Sequence, residues 1–130
     1  MNNFCKARHT IISALEKVGI RVVEEPKYHD LLSEPKELSK GFVMLHQEKH
    51  LFMAGNVMEH YQLWCNAGNW ADVRQMAENA TNAVEKAFGE KSEIFQLTNY
   101  FEYCSSQYDV DKNNRHHSFQ ADVSFYVKVK

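Results

Sequence analysis

Histidine is the residue type in this chain with the most chemical potential, and seven occur among its 130 residues. Neutral imidazoles converging on one point bind zinc, and a single imidazole exchanges a proton near neutral pH. His46 and His50 flank the polar triplet Gln47-Glu48-Lys49, and with His60 they form a first candidate cluster. His116 and His117, with Asp122, form a second. Either cluster would suit a small α+β enzyme or a metal-binding protein. The spacing argues the other way. Ligand pairs of known mechanics sit at i, i+4 on a helix, whereas the span from His46 to His50 reads as a hairpin turn. Adjacent strand residues point to opposite faces, so His116 and His117 cannot both enter one site. The expectation is that the chain holds no metal and no cofactor, and that its histidines lie at the surface and at hairpin ends.

A nucleophile with a base is present in composition, as Cys104 with His117 and Asp122, but no local signature surrounds Cys5, Cys65 or Cys104. Cysteines on strands are usually small buried hydrophobes. Three thiols set far apart fit a reducing compartment better than a disulfide framework. Glu24-Glu25 adjoins Pro26 at a strand end, where carboxylates stay solvated. The five glycines are scattered as caps and turns, and none builds a phosphate-cradling loop. A formal net charge of -2 and a pI near 6.4 argue against nucleic-acid binding, which needs a basic face. The aromatics Tyr100, Phe101, Tyr103, Tyr108, Phe119, Phe125 and Tyr126 lack interleaved arginines, so cross-strand packing explains them better than base stacking. No apolar run approaches the roughly 18 residues of a membrane span. Lys6, Arg8 and His9 interrupt the N-terminal apolar stretch, unlike a signal peptide. A single cytoplasmic domain over residues 1–130 is expected, and no enzyme.

The elements that must position these residues centre on a helix from Trp70 to Phe88. Trp70, Val73, Met76, Ala77, Ala80, Val84, Ala87 and Phe88 make one stripe at spacings of three and four, with Asn69 as N-cap and Gly89 as C-terminal stop. Before it the pattern predicts a helix from Asn3 to Val18 closed by Gly19, and a weak strand from Ile20 to Glu25. An ordered excursion follows from Lys27 to Gly41, with one helical turn after Pro35. Phe42–His46 and His50–Ala54 predict a hairpin, and Val57–Cys65 a third strand whose odd and even residues divide between two faces. After the central helix, Ile94–Tyr108 is strand-like, and Asp109–Asn114 is the strongest turn signal. In the last strand Phe119, Ala121, Val123, Phe125, Val127 and Val129 alternate with polar residues, so one face is dry and the other wet. The fold class that follows is α+β, an antiparallel β-sheet with two α-helices packed on one face.

The order of elements resembles the tail-terminator (tail-completion) proteins of long-tailed bacteriophages. The matching stretches are KARHTIISALEKVG, HYQLWCNAGNWADVRQMAENATNAVEKAF and RHHSFQADVSFYVKVK. The excursion and the high histidine count depart from the family pattern. The resemblance implies no catalytic residues. It implies a phage or prophage structural protein, present in the cytoplasm of a bacterial host and in the virion of a complete phage. That protein forms a ring, usually a hexamer, on the tail tube and presents a surface to the head connector. Its expected partners are its own copies, the tail tube protein and head connector proteins, with no nucleic-acid readout and no membrane. The surfaces best placed for such contacts are the wet face of the last strand (Gln120, Asp122, Ser124, Tyr126) and the excursion (Tyr28, Leu31, Leu32, Leu38), whose leucines lack an intrachain stripe. On that view, deleting Lys27–Lys40 would leave the fold largely intact.

Overall fold

The computed structural model describes residues 3–24, 31, 35–51, 57–97, 102–109 and 117–130. In chain order the elements are α1 (Asn3–Lys17), β1 (Val22–Val23), α2 (Pro35–Lys40), β2 (Phe42–Leu51), β3 (Val57–Ala67), α3 (Trp70–Glu90), β4 (Phe95–Leu97), β5 (Glu102–Asp109) and β6 (His117–Val129). The strands form one sheet in the order β1-β2-β3-β6, with β4 and β5 both pairing β6 on its far edge. β1 runs parallel to β2, and the remaining pairs are antiparallel. The class is α+β with helices packed on the sheet, as the sequence pattern predicts. The one parallel pair makes the sheet mixed.

Local chemistry fixes the helix ends. The Asn69 side-chain oxygen accepts the Asp72 amide at 2.9 Å, capping α3 at its first free donors. α1 ends where the Gly19 amide donates to the Glu16 carbonyl and the Ile20 amide to the Leu15 carbonyl. That pair of bonds needs a left-handed residue, supplied by Gly19 at φ +82°. The sequence places the stop of α3 at Gly89, but the helix runs on to Glu90, and Lys91 caps it by donating its backbone amide to the Phe88 carbonyl. Gly41 is the more constrained glycine. Its φ is +78°, and a Cβ there would come within 2.2 Å of the Met76 terminal methyl.

The core lies between the sheet and the two long helices. Val73, Ala77, Ala80, Val84 and Phe88 of α3, with Ala7, Ile11 and Leu15 of α1, cover Leu63, Cys65, Ala121, Val123, Phe125 and Val127. Burying each large aliphatic or aromatic side chain contributes about 1.5–3 kcal/mol. Phe88 meets Phe95 and Phe125 edge-on at 5.5 and 6.5 Å, and Trp70 meets Phe119 at 4.9 Å. Trp70 and Phe119 are half-buried at the margin of this core rather than sealed within it. Buried Tyr61 keeps its proton, because lost hydration and the Glu59 carboxylate both raise its pKa well above the ordinary value.

A second, smaller core sits on the opposite face of the sheet. Val23, Phe42 and Met44 are buried there, with Leu31 and Trp64 packed against them. Leu31 was expected to be a free docking residue; it is half-buried in the chain's own core instead. Because β1 and β2 are parallel, the excursion is the crossover that joins them, and an apolar residue on a crossover needs a sheet face to lie on. The Arg21 guanidinium and the Glu37 carboxylate form an ion pair that ties α2 to the residue before β1.

Candidate functional site: the polar face of the sheet

The expected hairpin turn between His46 and His50 does not form. β2 runs unbroken from Phe42 to Leu51, and its register places His46 opposite Gln62, Glu48 opposite His60, and His50 opposite Met58. Polarity alone misplaces the turn, since the Gln47-Glu48-Lys49 triplet lies within the continuous ladder that β2 makes with β3. Three consequences follow. His46 and His50 share one strand at even positions, and Glu48 lies between them. His60 joins them from the neighbouring strand.

The even residues of β3 and β6 extend this face. His60 Nε2 lies 2.6 Å from the Ser124 hydroxyl, and the His60 ring stacks on Tyr126 at 4.6 Å. His46 stacks on Trp64 at 5.6 Å, and Trp64 Nε1 donates to Gln62 Oε1 at 3.2 Å. Gln120 Nε2 donates to the Asp122 carboxylate, and Asn66 Nδ2 donates to the Trp64 carbonyl at 2.9 Å. The face is polar but less wet than its alternation suggested. Gln120 is only 3% exposed, while Asp122, Ser124 and Tyr126 are half-buried. The reason is geometric. Facing residues on neighbouring strands stack ring against ring, as His60 does on Tyr126, so each ring shields one face of the other from water.

Chemically, the Ser124 hydroxyl and the His60 imidazole have the contact of a nucleophile and base. Stacking against Tyr126 locks the imidazole onto the sheet, which makes the pair a rigid polar contact. The His46 and His60 rings engage different partners, Trp64 in one case and Ser124 with Tyr126 in the other. Among the described residues, no group of three His, Cys, Asp or Glu is placed to hold a metal ion. The Cys104, His117 and Asp122 set does not assemble. Cys104 stands opposite Asp122, but His117 stands opposite Asp109. Five residues of strand, about 17 Å, separate His117 from Asp122. Cys65 is buried, and burial with the nearby Asp122 carboxylate pushes its thiol pKa up to about 12, so it stays an inert thiol.

Of the other candidate residues, Tyr28, Leu32 and His116 lie outside the described residues. Leu38 belongs to α2, with its side chain outside what is described. Sequence reasoning missed that Gln62, Trp64 and His46 join Ser124 and Tyr126 on one surface. The period-two alternation of Val57–Cys65 gave the membership of each face. The pairing of β3 with β6, which sets His60 beside Tyr126, is a contact across 66 residues with no local signal.

Asp122 carries the clearest electrostatic signature. Burial raises its carboxyl pKa, and the hydrogen bond from Gln120 opposes that rise only in part. A carboxyl whose folded pKa is raised binds its proton more tightly in the native state. Its contribution to stability therefore falls as pH climbs from the ordinary 3.8 through the raised folded value. Asp122→Asn keeps an acceptor for Gln120 and removes the charge. Its melting temperature is expected above wild type at pH 7 and equal to it at pH 3, where the acid is protonated in both states. A difference that stayed constant between those pH values would exclude Asp122 as the source.

No described helix is long and apolar enough to cross a membrane. The chain matches no family model and no curated protein.

Proposed function

We propose that the chain is a tail assembly protein of a phage or prophage, which closes into a ring, a hexamer by resemblance, that caps the tail tube and presents a head-joining surface. The observation that carries this reading is the order of elements around the sheet. A first helix, strands β1–β3, the long helix α3 and closing strands along β6 follow the order that the resemblance implies, with the excursion that carries α2 as the departure from it. Helices seal one side of the sheet, and on the other, beyond the small second core, lie the partly exposed Met58, His60, Gln62, Ser124 and Tyr126. Aromatic residues and methionine are enriched in protein interfaces, and stacked side chains that are already immobile lose little entropy on contact. Such a protein works through surfaces, matching the tube on one side of the ring and refusing another tube ring on the other.

Light scattering coupled to size exclusion, with negative-stain imaging, tests the proposal on the chain alone and mixed with the tail tube protein. A closed ring in either condition supports it. A chain that stays monomeric in both overturns it.

The alternative, a metal-binding protein or small enzyme, gains from one observation. Unbroken β2 sets His46, Glu48 and His50 at alternate positions, with His60 across from Glu48. Elemental analysis of the same sample separates the two. Stoichiometric zinc on a monomer, lost on replacing His46 and His60 by Ala, would favour the metal site.

A further inference from the structure

Among the described residues, both long edges of the sheet carry backbone with no neighbouring strand. β1 covers β2 only at Val43 and Met44. β5 pairs β6 on one side and no described strand on the other. Parity shows which groups of β2 face outward. The Val43 amide donates to the Arg21 carbonyl, so it points away from β3. Amides and carbonyls alternate sides along a strand. Gln47, Lys49 and Leu51, which lie past the end of β1, therefore turn theirs outward too. Three donors and three acceptors in a row are a template for one more strand.

The backbone specifies a strand as occupant, and strand direction specifies whose. β2, β3, β6 and β5 are each antiparallel to the next. β2 and β5 thus run in opposite directions on the two edges of one sheet. When two copies stand side by side with their helices on the same face, β5 of one meets β2 of the other antiparallel. The alternation passes through the joint unbroken, and one kind of contact pairs both edges of every copy. A foreign peptide on β2, or a two-fold contact of β2 with β2, would leave the β5 edge bare. The joint is also staggered. Gln47 and Lys49 lie level with Phe125 and Val127 of β6, whereas β5 lies level with His117–Ser124. Closing a sheet on itself requires a stagger of this kind, with the strands tilted to the axis.

We infer that β5 of one copy adds to the Gln47–Leu51 edge of β2 in the next, so that one sheet runs through the assembly. The occupant is a second copy of this chain, and the inference rests on the assembly reading. β2 and β5 are different surfaces of one molecule, so the contact is head-to-tail and repeats around an axis until it closes.

The test is hydrogen–deuterium exchange of the wild-type chain, compared between monomer and assembly, alone and with the tail tube protein. Outward amides of β2 and β5 are expected to exchange fast in the monomer and to slow about tenfold or more on assembly, in both strands together. Gln47→Pro removes one outward amide, which an edge strand tolerates because the β3 ladder does not use it. It is expected to weaken assembly about tenfold or more by light scattering, at an unchanged melting temperature. The exchange measurement needs no variant. If rings form and the two strands gain no protection, or β2 gains it alone, the contact is wrong while the assembly reading stands. If both strands are protected in an open polymer that never closes, the contact stands and the ring falls. A wild-type chain that is monomeric in both conditions overturns both.

Discussion

Val123→Asp is expected to abolish cooperative folding. Val123 is 2% exposed, lies on the helix-covered face, and is flanked in register by Leu63 on β3 and Tyr103 on β5. The substitution removes about 1.5–3 kcal/mol of apolar burial. It also places a carboxylate where the neighbouring core residues offer aliphatic and aromatic surface, which costs several kcal/mol more unless the acid takes up a proton. The combined loss, of order 5 kcal/mol, is comparable to the whole stability of many domains. Urea unfolding followed by circular dichroism measures it. The informative control is the adjacent residue on the other face. Ser124→Ala loses the hydrogen bond to His60 and is expected to cost about 0.5–1.5 kcal/mol. A Val123→Asp variant that unfolds near the wild-type midpoint would mean that the two faces of β6 are reversed.

That contrast between neighbours marks what was legible in the sequence. Strict alternation from Phe119 to Val129 identified the buried face of β6, because a strand with one covered side has no other way to satisfy its apolar residues. The stripe of α3 and the caps at Asn69 and Gly19 were equally readable, being local in the chain. Features that depend on partners were not. Nothing in IRVVEE says that β1 will lie parallel to β2, since alternation carries no direction. The Gln47-Glu48-Lys49 triplet reads as a turn by composition, yet Tyr61, His60 and Glu59 stand across from it in an unbroken ladder. The polar face was half legible for the same reason: its membership follows from parity, and its stacked pairs follow only from register. Leu31 has no stripe in sequence because its partners Phe42 and Met44 belong to a core on the other side of the sheet.

Deleting Lys27–Lys40 is for that reason expected to destabilise the domain severely, which reverses the expectation drawn from sequence. Two physical effects combine. First, Val22 and Val23 pair in parallel with Val43 and Met44, and parallel neighbours need a crossover of roughly a dozen residues or more. Removing fourteen positions from the chain between Val23 and Phe42 leaves too little to return to the start of β2, so β1 must detach. Second, the deletion removes Leu31 and the Arg21–Glu37 ion pair while detaching Val23, which opens Phe42 and Met44, both 0% exposed, to water. Exposing those three apolar residues forfeits about 1.5–3 kcal/mol each. Phe42→Ala isolates the second effect with the crossover intact and is expected to cost about 3–5 kcal/mol. Thermal and urea unfolding of both variants decide the matter. If the deletion variant melts like wild type and Phe42→Ala is mild, the excursion is no part of the core, and its leucines return as a free docking segment. If both are strongly destabilised, assembly must be tested by substitutions such as Tyr126→Ala on the polar face that leave the second core untouched.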